Sequence, residues 1–216
     1  MAGSDPTLST LRVDPVVPEV AVVRKAAAVL AAGGLVAFPT DTFYGLAIDP
    51  RMPGAVEQLL RVKTRSTAAG IPLIASDLAQ VESDLGALTL SSGRLARRFW
   101  PGPLTLVVDA SAALDPRLLA GGETIAVRVP DHAVARALAA ALGHPITSTS
   151  ANRSRVSPPT TAAGVVTALG SELTLVLDAG PSPGGAPSTI VDARGTNPLL
   201  LRAGVVPWDC VVQSLV

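Results

Sequence analysis

Leu35–Leu46 reads LVAFPTDTFYGL. Four apolar residues are followed at once by Pro39 and then by hydroxyl and carboxylate side chains. A short apolar run bounded by turn signals suits a buried strand better than a helix. Gly33-Gly34, just upstream, is a natural helix stop. A helix over 19–32 and a strand over 35–38 are therefore expected, with a polar loop at the end of the strand. Open α/β sheets place their ligands in the crevice beyond such strand ends. Thr40, Asp41, Thr42 and Tyr44 become candidates for a binding site. The local alternative is a turn in which Asp41 or Thr42 caps backbone amides.

Outward from this stretch, apolar periodicity and turn residues predict helices over 53–62, 92–99, 132–142 and 161–169. Strands are expected over 71–75, 104–108, 125–129, 145–148, 173–177, 189–192 and 199–202. The elements alternate without a regular βαβ period. That predicts an α/β fold: a single domain with a twisted mixed sheet and flanking helices. Residues 1–18 are expected as an N-terminal extension, 19–206 as the domain and 207–216 as a C-terminal tail. The Pro- and Gly-rich segment 180–188 lies between two strands and reads as a loop.

Composition narrows the function. The 216 residues suffice for one sizeable core, and 48 % are apolar with only 3 % aromatic, so Ala, Val and Leu carry the packing. Lys plus Arg and Asp plus Glu are both 17. This balance argues against indiscriminate nucleic-acid coating. Cys210 is the only cysteine and His132 and His144 the only histidines, which excludes an internal disulfide and argues against a Cys/His metal cage. No signal pattern and no spanning apolar run occur, so a cytoplasmic protein is expected.

There is no Walker loop, dinucleotide fingerprint, G-x-S-x-G or H-E-x-x-H. Polar segments at strand and helix ends remain. Lys63 and Arg65 in KTRSTAAGIPL (63–73) are either the solvated end of a helix, where cations complement the dipole, or a phosphate clamp. TSTSANRS (147–154) is either an ordinary Ser/Asn turn or a loop presenting amides and hydroxyls to an anion. Arg128 and Arg202 lie in β-rich runs, where a buried cation needs a partner. That partner is an anionic ligand or a carboxylate such as Asp41, Asp131 or Asp192. His132 reads as a helix cap or an exposed side chain.

In this order, PTDTFYGL, KTR with a following Pro-Leu, FWPGPLTLVV, TIAVRVPDH, STSANRS, PSTIVD and LLRAG resemble the YrdC-like family, the L-threonylcarbamoyladenylate synthases. The resemblance runs from about Gly33 to Gly204 and is to the short, single-domain form. It implies an α/β fold with a large basic concave cavity, and a nucleotidyltransferase. The reaction joins L-threonine, bicarbonate and ATP into threonylcarbamoyl-AMP and pyrophosphate. It implies Mg²⁺ bound mainly through ATP phosphates. A downstream tRNA threonylcarbamoyl-transferase complex then modifies adenosine 37, with a weak tRNA contact as a further expectation. By position, Lys63 and Arg65 take the catalytic role on the phosphates. Thr42, Tyr44, Ser76, Arg128, Ser150 and Ser188 face L-threonine. Thr124, Asn152, Thr160 and Arg202 face the nucleotide together with Lys63 and Arg65.

The chain departs from the family pattern K-x-R-P-x-x-[NK]-P-L. Ser66 follows Arg65, the spacing to Pro72-Leu73 is longer, Ile71 replaces a polar residue, and Ser76 stands where a His is usual. Arg155 and Ala203 replace a Gly and a Pro. These changes keep two alternatives in view: a same-fold paralogue binding structured RNA, and a carbamoyl-adenylating enzyme with a different substrate.

Overall fold

The computed structural model describes residues 8–63, 70–153 and 156–215. The strands are β1 (Ser9–Arg12), β2 (Val36–Phe38), β3 (Gly45–Ala47), β4 (Leu73–Ile74), β5 (Leu104–Asp109), β6 (Thr124–Arg128), β7 (Ile146–Thr147), β8 (Thr149–Ser150), β9 (Leu175–Asp178), β10 (Thr189–Asp192) and β11 (Leu199–Arg202). The helices are α1 (Val20–Ala31), α2 (Pro53–Lys63), α3 (Leu78–Leu85), α4 (Leu90–Phe99), α5 (Ala133–Leu142), α6 (Ala162–Leu169) and α7 (Trp208–Gln213). The α/β expectation holds, but the strands divide into two mixed sheets rather than one.

The five-stranded sheet runs β1-β9-β2-β3-β8 and is buried on both faces. Alternation in β2 shows why. Val36 and Phe38 face a cluster with Ala26, Ala27 and Leu30 of α1 and Val134 and Leu138 of α5. Ala37 faces the opposite cluster, which includes Val56 and Leu59 of α2 and Val165 and Leu169 of α6. Side chains of period two thus need helices on both sides. Ser9–Arg12, expected within an N-terminal extension, is the outer strand of this sheet, parallel to β9.

The six-stranded sheet runs β11-β10-β5-β6-β4-β7. One face is apolar. Leu104, Leu106 and Val191 pack on Leu95 and Ala96 of α4 and Val211 of α7. Val108 and Val127 pack on Val81 of α3. The buried Val211 ties the expected C-terminal tail into the core. Alternation turns Thr105 of β5 and Ala126 and Arg128 of β6 to the other face, which lines a cleft. Between Ile190 and Val191 the pairing of β10 with β11 shifts register, as a β-bulge does. The chain passes from the six-stranded to the five-stranded sheet at Ser148, between β7 and β8. The cleft therefore lies where the two sheets meet.

Candidate active site

The cleft holds about 390 Å³ and draws its wall from both sheets. Thr40, Thr42 and Tyr44 follow β2, and Ser148–Ser150 cross between the sheets. Ser188 immediately precedes β10, Ile190 lies within it, and Arg202 ends β11. The strand-end reading of the first stretch is thus upheld for Thr42 and Tyr44. The turn itself is closed by another residue than expected. Thr40 Oγ1 donates to the Phe43 carbonyl at 2.7 Å and accepts the Thr42 amide at 3.1 Å. Asp41 and Thr42 do not cap it; Thr42 Oγ1 lies 3.1 Å from Thr40 Oγ1, and Asp41 turns to Arg128. Tyr44 is fully buried, and its hydroxyl donates to the Gly180 carbonyl at 2.7 Å. Burial, with the nearby Asp178 charge, pushes that phenol up to about 12. Tyr44 therefore borders the cleft as a structural post.

Arg128 is 7 % exposed. Its Nη1 donates to both Asp41 oxygens, at 2.8 and 3.1 Å. Of the three open carboxylate candidates, Asp41 is the partner. Burial lowers the pKa of this guanidinium and the Asp41 charge opposes the change. Among the described residues Nε and Nη2 donate to no protein group, and neither is sealed from solvent. A guanidinium has five N–H donors in a planar fork. Asp41 engages only the Nη1 of this fork, and Arg128 lines the cleft.

Arg202 is exposed, and Nε and Nη2 donate to the Ser188 carbonyl at 3.1 and 2.8 Å. Nη2 also reaches Ser188 Oγ at 3.0 Å. Burial and then the charge of Arg128 lower the Arg202 pKa, so the two cations feel each other. No carboxylate lines the cleft among the described residues. Two arginines and several hydroxyls suit an anionic ligand.

Lys63 is not a solvated helix end. It is 2 % exposed at the last turn of α2. Its ammonium donates to the carbonyls of Ser150 and Asn152, each at 2.8 Å, and to Asn152 Oδ1 at 3.0 Å. Ser150 Oγ donates to the same Asn152 oxygen at 2.6 Å, and the Asn152 amide donates to the Val156 carbonyl. The S-A-N segment is thus fastened to α2 through one cation, and Ser150 forms part of the cleft wall. Arg65, Ser66 and Arg155 lie outside the described residues.

The remaining candidates stand farther off. Thr124 shares the Arg128 face of β6 but sits four residues away, at the end paired with Asp109. At ~3.3 Å per residue that is roughly 13 Å. Thr160 accepts the Ser182 amide through its carbonyl and does not line the cleft. Ser76 lies beyond β4, and its hydroxyl donates to Asp77 at 3.2 Å. Ile71, 1 % exposed, belongs to the core, so this departure from the family pattern is a packing change. His132 occupies the N-cap position of α5, as one of its two readings had it, but its side chain makes no capping bond and it is half-buried. Its Nδ1 is buried without a hydrogen bond, and burial lowers its pKa. Sequence reasoning missed Thr105, a 4 % exposed hydroxyl that touches Ser188 Oγ at 2.8 Å. The available signal was its place as a polar residue between the leucines of an apolar strand.

Known proteins share this arrangement. The Sua5/YciO/YrdC family model, described as "Telomere recombination", matches residues 28–204. The threonylcarbamoyl-AMP synthase of Bacillus subtilis is 38 % identical over 84 % of the chain, which spans 53 % of that protein. The threonylcarbamoyl-AMP synthase of Nitrosococcus oceani is 39 % identical over 80 % of the chain and 93 % of its own length. The crystal structure of Pyrococcus abyssi Sua5 complexed with L-threonine superposes with a TM-score of 0.88 at 32 % identity, over 96 % of this chain and 60 % of that one. The chain thus spans about half the length of some relatives and nearly all of others. Two sheets meeting at a cleft with a half-engaged arginine, and sequence likeness across most of the length, lead to one statement: the chain belongs to the Sua5/YciO/YrdC family.

Proposed function

We propose that the chain is a threonylcarbamoyl-AMP synthase. It makes threonylcarbamoyl-AMP and pyrophosphate from L-threonine, bicarbonate and ATP. The observation that carries this is Arg128: buried, tethered by Asp41 at one nitrogen, with Nε and Nη2 open to the cleft. An amino-acid carboxylate fits that open edge in a bidentate manner.

The amine of bound threonine takes up bicarbonate, a C–N bond forms and water leaves. A carbamate oxygen then attacks the α-phosphorus, and the bond to the departing pyrophosphate breaks. Both steps gain from alignment and from exclusion of water rather than from a protein nucleophile. Arg128, Thr42, Ser150 and Ser188 orient threonine, with Tyr44 as the post behind them and Ser76 beyond the rim. Arg65 acts on the phosphates directly, and Lys63 serves them from behind the cleft wall by fixing the loop of Ser150 and Asn152. Arg202, Asn152, Thr160 and, farther along β6, Thr124 serve the extended nucleotide. When bound with ATP, Mg²⁺ would supply charge stabilisation for pyrophosphate. Among the described residues the lining offers hydroxyls and no carboxylate, which would suit an ion held through phosphate oxygens and water. The adenylate then passes to a transferase complex that acts on adenosine 37 of tRNA. No described helix is long and apolar enough to cross a membrane.

The test is incubation with ATP, Mg²⁺ and bicarbonate plus L-threonine, L-serine or carbamoyl phosphate, with mass spectrometry of the adenylates and assay of pyrophosphate. Threonylcarbamoyl-AMP with L-threonine is expected. Product only with another substrate assigns the chain to a different carbamoyl-adenylating reaction, and no adenylate at all ends the enzyme reading.

A further inference from the structure

We infer that Thr105 is a positioning residue that forces Ser188 to act as a hydrogen-bond donor toward an anionic oxygen of the substrate. This rests on the synthase reading of the cleft.

Ser188 Oγ has one proton and two acceptor lone pairs. Arg202 Nη2, which can only donate, occupies one lone pair at 3.0 Å. Thr105 Oγ1 lies 2.8 Å away, and either oxygen of that pair could give the proton. The surroundings decide between them. Thr105 is 4 % exposed and makes no other side-chain hydrogen bond. If Ser188 donated to Thr105, the proton of the nearly buried Thr105 hydroxyl would be left without a protein acceptor. With Thr105 as the donor, both lone pairs of Ser188 are filled and its own proton has one direction left, into the cleft. Ser188 and Thr105 both line that cleft, as does Arg128.

The backbone holds this arrangement in place. The Thr189 amide donates to the Pro103 carbonyl at 3.0 Å, and the Val205 amide to the Pro187 carbonyl at 3.0 Å. A Cβ on Gly204 would lie 2.3 Å from the Pro187 carbonyl oxygen and 2.5 Å from the Ser188 carbonyl carbon. The backbone of Ser188 is thus fixed on both sides, and its oxygen is held between Thr105 and Arg202. A hydroxyl that only donates needs an acceptor opposite it, so it suits a carboxylate or carbamate oxygen beside Arg128 and disfavours an ammonium there.

The experiment compares wild type, Thr105→Val, Thr105→Ser, Ser188→Ala and the Ser188→Ala/Thr105→Val double variant. Steady-state constants for L-threonine and ATP are measured along with calorimetric L-threonine affinity and thermal unfolding. Thr105→Val keeps the β-branched shape and is expected to raise KM for L-threonine about tenfold. KM for ATP and kcat should stay within twofold, and Thr105→Ser should restore the wild-type value. In the Ser188→Ala background Thr105→Val should add nothing, because its effect passes through Ser188. A threonine KM within twofold of wild type in Thr105→Val, or a full additional loss in the double variant, overturns the inference. If Thr105→Val is poorly folded, Thr105→Ser alone still tests it, since a donor at the same place must leave threonine affinity intact. Failure of the underlying function is recognised separately, because wild type then gives no product. A wild type that binds L-threonine without turnover still yields the Thr105 result through affinity.

Discussion

The six-stranded sheet carries an arginine cluster at each end, and the two ends are built differently. At the far end Arg194 is saturated. Nε and Nη2 hold Asp192 at 3.0 and 2.8 Å, and Nη1 holds Asp109 at 2.9 Å. Those bonds, first with Asp192 and then with Asp109, raise its pKa. At the near end Arg128 has Asp41 on one nitrogen only, and Arg202 grips neutral oxygens of Ser188. The same strands, β5 and β10, run between them. A closed carboxylate set spends an arginine on structure, whereas an open edge on a buried arginine is a capacity for binding. Pairing alone does not mark a site; what is left over after pairing does.

Changes at Arg128 should break this contrast most severely. Arg128→Ala removes two charge-assisted bonds of ~1.5–3 kcal/mol each, so kcat/KM for L-threonine should fall at least ~100-fold. Arg128→Lys should recover little, since an ammonium lacks the planar fork. Steady-state kinetics check both. Asp41→Ala comes next, because it strips the buried guanidinium of its carboxylate. A loss on the order of 3 kcal/mol is expected in urea unfolding. Adding Arg128→Ala to Asp41→Ala should return part of that loss, as coupling within a pair requires.

Tyr44→Phe sharpens the comparison from the cleft wall. It leaves the Gly180 carbonyl without its donor and should cost ~1–3 kcal/mol. The phenol titrates at its ordinary 10.0 when unfolded and at about 12 when folded. A pKa raised by folding contributes stability that is complete below pH 10 and lost as pH climbs toward 12. Unfolding curves of the wild type should decline in that alkaline window, and those of Tyr44→Phe should lack this component. Arg194→Ala is expected to do least. Its Asp109 partner is 82 % exposed at the side chain, so stability should drop by no more than ~1 kcal/mol. Turnover should be unchanged, and a large loss there would mean that the far end also handles substrate.

The legible and illegible parts of the molecule divide along physical lines. Strands with their own apolar run, such as β2, β5 and β10, could be read directly. Gly45–Ala47 could not, because β3 is a strand only through pairing with β2 and β8. Ser9–Arg12 has no apolar pattern and depends on β9 in the same way. Leu78–Leu85 was hidden because its start lies in the Asp77 side chain, which accepts the Gln80 amide at 2.8 Å. In the site, polar residues at strand ends announced Thr42, Arg128, Ser150, Ser188 and Arg202. Thr105 did not stand out, since a threonine within a strand also reads as a simple β-former. Lys63 was visible as a cation, but its partners lie 87 and 89 positions away, a closeness that only the packing of α2 beside β8 creates.

The register shift between β10 and β11 has a further consequence. Leu200 lies opposite Val191, so regular counting would set Leu201 against Ile190; the extra residue gives that slot to Arg202 instead. Because side chains in a strand alternate faces, this one surplus position decides whether a leucine or a guanidinium looks into the cleft. The chemistry of that corner is written in strand parity as much as in residue identity. A slip that paired Leu201 with Ile190 would abolish the cation there without altering a single amino acid.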